Sequence, residues 1–176
     1  MKNQQLEQLF KLYSKPLYYY LWKLSGSSHL AEDLTQETFV RATISLHAYQ
    51  GEEARAWLFK VARNMYIDEW RKRKRRQNIP LMNRFKPAEE MISPYGLPEN
   101  EALAQERKDD LHALFNYLPE HYRTILYLRE AAEFSYAEIA TAMDLSVDQV
   151  KVTLHRARKK LETIAKQKGW HDDRME

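Results

Sequence analysis

Apolar residues recur with a helical period along most of this 176-residue chain, and the breaks in that period divide it into elements. Leu6, Leu9, Phe10, Tyr13, Leu17, Leu21 and Leu24 form a first stripe, which Pro16 is expected to interrupt or bend. A second helix is predicted from about Leu30 to Leu46, and a third from Glu52 or Glu53 through a basic block to about Arg76. Four of the six prolines (Pro80, Pro87, Pro94, Pro98) then fall between Ile79 and Glu99, a density that forbids continuous helix and marks a linker. Beyond it the pattern predicts a helix from Glu101 to Tyr117, another starting at Pro119 where proline suits a first turn, and finally a closely spaced pair.

That pair occupies Ser135–Leu161, SYAEIATAMDLSVDQVKVTLHRARKKL. Tyr136, Ile139, Ala140 and Met143 make one apolar helical face. Ser135 with Glu138, and Ser146 with Gln149, have capping-box spacing, so both helix starts are marked. Asp144 and Leu145 fill the gap, a connection short enough for a helix-turn-helix. In the second helix Val147, Val150, Leu154, Ala157 and Leu161 share a narrow arc at about 100° per residue. Asp148, Val152, His155, Arg156 and Lys159 occupy the opposite arc, with Lys151 and Arg158 on its flank. Such a helix packs on one side and can meet nucleic acid on the other. A basic helix is more often a plain solvated face, but two caps and a short turn favour a DNA-reading unit.

The expected fold class is therefore all-α: two small helical domains joined by a flexible Pro-rich linker, the second ending in the helix-turn-helix. The boundaries read as 1–76, 77–100 and 101–176, with a polar, frayed tail from His171. Four glycines and scarce β-branched alternation agree with that class. The formal net charge is only +3, yet Arg71–Arg76 is an unbroken run of six cations and Lys151–Lys160 holds five more. Clustering, rather than net charge, points to a polyanionic partner. The chain has no cysteine, which removes disulfides, thiolate zinc sites and cysteine nucleophiles. Its histidines lack metal-ligand spacing, and neither a phosphate loop nor a nucleophile elbow is present, so neither a cofactor nor enzymatic activity is expected. MKNQQLEQLF has no signal-peptide core and no run is long enough to span a bilayer, so a cytoplasmic protein is the simplest expectation.

The first domain carries three further patches. Asp33, Gln36, Glu37 and Val40 align as a polar stripe ending in an aliphatic, suited to docking on protein, although an ordinary acidic face has the same spacing. In the third helix Leu58, Val61, Ala62 and Met65 form the side expected to be buried. Lys60, Arg63, Asn64, Ile67, Arg71 and Lys74 face away, with Trp57, Tyr66 and Trp70 interleaved. Aromatics beside cations suit base stacking and phosphate contact, but Trp57 also fits a core position. Six adjacent cations repel one another, a cost that an anionic partner relieves. Finally, His47–Ala56 contains Tyr49, Gln50 and Gly51; it fits a loop holding an unstacked base or a plain connection equally well.

Together these segments resemble bacterial sigma factors of the extracytoplasmic-function group of the sigma-70 family. AEDLTQETFVRA is similar to the family's core-polymerase-binding helix, and AWLFKVARNMYIDEWRKRKR to its minus-ten-recognition segment. LPEHYRTILYLREAAEFSYAEIATAMDLSVDQVKVTLHRARKKL is similar to its minus-thirty-five-binding domain. The resemblance implies that Asp33, Gln36, Glu37 and Val40 meet the β′ clamp helices of core RNA polymerase, with the β flap a further polymerase contact. It implies that Trp57, Lys60, Arg63, Asn64, Arg71, Lys74 and Arg75 serve the minus-ten element. Lys151, Val152, His155 and Arg156 would enter the major groove at the minus-thirty-five element, with Arg158 and Lys159 nearer phosphates. It further implies a linker that threads toward the RNA exit path, an anti-sigma partner, often membrane-anchored, and no membrane insertion by the chain itself. One departure stands out: similar factors often carry K-S-R where this chain has Lys151-Val152-Thr153, so a polar contact and a cation are missing.

Two other readings compete on the residues alone. A repressor or activator would use the helix-turn-helix without polymerase, usually on a palindrome. An RNA-processing enzyme would need a catalytic constellation, and none is recognisable.

Overall fold

The computed structural model describes residues 2–45, 51–76 and 113–169. Among them every regular element is helical, and the chain falls into two units. The linker at 77–100, most of the helix expected at Glu101–Tyr117, the loop residues 46–50 and the tail from His171 lie outside the described residues.

The first unit is built from α1 (Lys2–Ser25), α2 (Ser28–Ser45) and α3 (Glu52–Arg76). Leu17, Tyr20, Leu21, Ala31, Leu58, Phe59 and Ala62 are buried between them, and Tyr20 meets Phe59 with ring centroids 5.5 Å apart. Each fully buried large apolar side chain contributes about 1.5–3 kcal/mol. Gly26, at φ 67°, ends α1 in the left-handed region that glycine tolerates best. Ser27 then caps α2 by accepting the Leu30 N–H at 3.2 Å. Buried Thr35 and Thr38 donate their hydroxyls to the Ala31 and Leu34 carbonyls at 2.7 Å, so α2 can bury two polar side chains without orphaning them.

Of the two outcomes expected at Pro16, interruption does not occur: α1 runs through it. The carbonyl that loses its partner is that of Leu12, whose side chain is 62% exposed, so solvent can satisfy it and the penalty stays small. Tyr66 departs too. It is buried, and its hydroxyl donates to the Leu24 carbonyl at 3.0 Å, tying α3 to the last turn of α1.

In the second unit, residues 113–115 are helical and α4 (Glu120–Leu126) follows, with Pro119 just outside it as N-cap. The helix expected to start at Pro119 therefore begins one residue later. It widens into a π-helical turn over Tyr127–Ala131 that no periodicity announced. The Phe134 N–H donates to the Leu128 carbonyl at 2.8 Å, and Arg129 donates to the Phe134 carbonyl at 2.9 Å while lying 4.6 Å over the Tyr136 ring. Next come α5 (Tyr136–Met143) and α6 (Val147–Gln167). Both capping boxes form: Ser135 with Glu138 at 3.1 Å each way, and Ser146 with Gln149 at 2.9 and 3.1 Å. Asp144 takes φ 54° and the Leu145 N–H reaches the Ala140 carbonyl at 3.0 Å, a Schellman closure that makes the two-residue turn possible. Ile125, Leu128, Phe134, Ile139, Val150, Leu154, Ala157 and Ile164 form the core.

Candidate nucleic-acid and polymerase interfaces

Thr35, Thr38 and Phe39 hold one side of α2 against the core, and the other side is left to solvent. Asp33, Gln36 and Glu37 are all exposed there, and Val40 is 54% exposed. Glu37 pairs with Arg41 at 3.3 Å across one turn, a half-exposed contact worth little by itself. Ile44, one turn beyond Val40 and 72% exposed, continues the stripe and doubles its aliphatic end. Phe10 of α1 sits at its margin, 41% exposed and edge-on to Phe39 at 5.0 Å. The Val40–Ile44 spacing was legible in the sequence, but only packing shows that Ile44 is left uncovered among the described residues.

On α3 the buried side holds Ala54, Leu58, Phe59, Ala62, Met65 and Tyr66, while Val61 is only half-buried. Trp57 is half-buried rather than sealed in the core, and it aligns on the helix with exposed Asn64, Arg71 and Arg75. Lys60 and Arg63 are partly exposed. Lys74 is exposed and lies 4.8 Å over the ring of Trp70, itself 45% exposed. Tyr66, expected among these aromatics, is absent from the face because it is buried toward α1. The cationic run is also less uniform than its sequence: Arg73 turns to Glu69 at 3.3 Å and is half-buried, whereas Arg71, Lys72, Lys74, Arg75 and Arg76 are exposed.

Along α6, Val150, Leu154, Ala157 and Ile164 are buried, and Lys151, Val152, His155, Arg156 and Lys159 are exposed. The expected arc needs two corrections. Val147 is 41% exposed, because the first turn overhangs the core, and Leu161 is half-buried, leaving Ile164 as the last anchor. Arg158, expected near phosphates, bonds Glu130 of the π turn at 2.6 Å. That carboxylate lies 28 residues earlier in the chain, and with both side chains half-exposed the pair leaves Arg158 on the cationic flank of α6. Farther along, the Glu162 carboxyl is held below its ordinary value by a hydrogen bond from Lys166, by the Lys166 charge and by Lys159. No described helix is long and apolar enough to cross a membrane.

Comparison with known proteins identifies both units. The family Sigma-70 region 2 matches residues 9–76, and Sigma-70, region 4 matches residues 108–161. The chain is 33% identical over 161 residues to the ECF RNA polymerase sigma factor SigM of Bacillus subtilis, covering 90% of this chain and 94% of that one. Among solved structures it is similar to the sigma factor RpoE bound to the anti-sigma factor NepR from Bartonella quintana. The TM-score is 0.69 at 26% identity, over 91% of this chain and 96% of that one. CnrH, solved with the cytosolic domain of CnrY, shares the fold at TM-score 0.64 and 21% identity, over 92% and 88% of the two chains.

Proposed function

The chain belongs to the extracytoplasmic-function group of the sigma-70 family, and on that footing we propose how its exposed faces divide the work of promoter recognition. It is an alternative sigma factor that directs promoter-specific transcription initiation. The first domain, 1–76, would bind core polymerase and the minus-ten element; residues 77–100 would tether it; and 101–176 would bind the minus-thirty-five element. Asp33, Gln36, Glu37, Val40 and the added Ile44 form the polymerase-docking stripe, directed at the β′ clamp helices. Their shared exposure on one side of α2 supports this. Trp57, Asn64, Arg71, Lys74 and Arg75 face the minus-ten element, where cations neutralise phosphates and an aromatic can stack on an unpaired base. Lys151, Val152, His155 and Arg156 enter the major groove, with Lys159 and Arg158 nearer phosphates, Arg158 reaching them from its half-exposed pair with Glu130.

The mechanism needs no bond chemistry. Sigma positions polymerase, and DNA-binding energy offsets strand opening. Because the solved relative is held by an anti-sigma factor, we extend that regulation here, with a membrane-anchored anti-sigma, a cytoplasmic site of action and an envelope-stress signal. The observation that carries the reading is the serial match of regions 2 and 4, which a free-standing repressor would lack over its first domain. The test is run-off transcription with purified core polymerase on a genomic fragment library. Addition of this protein should yield promoter-specific transcripts; their absence would refute the reading.

A further inference from the structure

We propose that Val152 reads a thymine 5-methyl group in the minus-thirty-five element. This rests on the promoter-binding reading of α6 and adds a base identity to it. Val152 is 48% exposed in the second turn of α6, on the side opposite Val150 and Leu154. A β-branched residue inside a helix is a poorer helix former than alanine, and here burial does not offset that cost. The fold therefore gives no reason for valine at this position. Its neighbours on the same face, one residue or one turn away, are Asp148, Lys151, His155 and Arg156, all exposed and all polar or charged. Two methyl groups thus stand within a polar surface at the part of a recognition helix that reaches base edges.

The capping box sharpens the assignment. Gln149 would be the obvious partner for adenine, but its Oε1 already accepts the Ser146 N–H at 2.9 Å, and its own N–H donates to the Ser146 hydroxyl. Bidentate pairing with adenine would take that oxygen away from the start of the helix. Base reading consequently falls to the following turn: Lys151, Val152, His155 and Arg156. Of these only Val152 has neither donor nor acceptor on its side chain. The only apolar group that any base presents in the major groove is the thymine 5-methyl. Opposite the amino group of cytosine or adenine, valine would leave a desolvated donor unpaired, so the same side chain also disfavours those bases.

The experiment uses holoenzyme assembled from core polymerase and the full chain, on promoter fragments that support run-off transcription. Thymines of the minus-thirty-five element, on either strand, are replaced one at a time by deoxyuridine, which lacks only the methyl. One replacement should weaken holoenzyme binding roughly fourfold, the value of burying one methyl group. The same replacement should leave binding by the Val152→Ala holoenzyme unchanged, and Val152→Ser should weaken binding to the thymine-containing fragment at least as much as deoxyuridine does. If no position responds to deoxyuridine, or if the response persists in Val152→Ala, the assignment is overturned while transcription from the same fragments keeps the sigma reading intact. If no fragment supports transcription, both fall. The deoxyuridine arm alters only the DNA, so it does not depend on how well a variant folds.

Discussion

At the scale of single residues, the contacts that matter most here join positions far apart in the chain. Tyr66 is the plainest case. Its hydroxyl bonds the Leu24 carbonyl 42 residues earlier, inside the core of the first unit. Removing it deletes a buried hydrogen bond between two helices, so Tyr66→Phe should cost about 1 kcal/mol in denaturant unfolding. An unchanged midpoint would mean that this bond adds nothing to the stability of the first unit. In the sequence, Tyr66 sits among Arg63, Ile67 and Trp70 and reads as one more aromatic on a basic face. The Arg158 contact was hidden for the same reason, since its partner Glu130 lies 28 residues away. Helical period reports which residues share a face; it carries no information about a partner on another element. Asn64, Arg71, Lys74, Lys151, His155 and Arg156 were legible because their placement follows from position on one helix alone.

Helix starts behave differently, because a cap is a local device. Ser135 and Glu138, and Ser146 and Gln149, are three residues apart and needed no knowledge of the fold, and both boxes form with reciprocal bonds. Ser146→Ala should destabilise the second unit by about 1 kcal/mol and lower its thermal midpoint by a few degrees. A midpoint equal to wild type would show that α6 starts without its cap. The bounds of α2 and α3 likewise fall within two residues of the expected ones. What local signals missed was the behaviour of the backbone where tertiary context intervenes. Pro16 is tolerated because the carbonyl it orphans belongs to exposed Leu12, and the π turn after α4 is held by Phe134 beyond its end, which bonds Leu128 and Arg129 within it. Neither the exposure of Leu12 nor the Arg129–Phe134 contact has a counterpart in spacing or propensity.

For the whole molecule, the proposed docking stripe and the two proposed DNA faces draw on exposed or half-exposed side chains, and none of those side chains is fully buried. Replacing Asp33 and Gln36 together with alanine should lower affinity for core polymerase about tenfold, the loss of roughly 1.4 kcal/mol. Thermal unfolding should be unmoved, since both side chains are exposed. Undiminished affinity would place the docking face elsewhere. Two small domains held on one polymerase reach the promoter with the effective concentration of a tethered pair, so each grip can be weak alone. The buried and outward arcs of α6 have a consequence for how such a protein diversifies. Lys151, Val152, His155 and Arg156 have no place in the core, so drift at these positions can retarget the chain to a new promoter with little change in stability. Gln149 is not free in that way, because changing it disturbs the start of the helix. A duplicated copy of this gene could acquire a new set of target promoters by varying one exposed turn of α6 while its fold and its grip on polymerase stayed as they are.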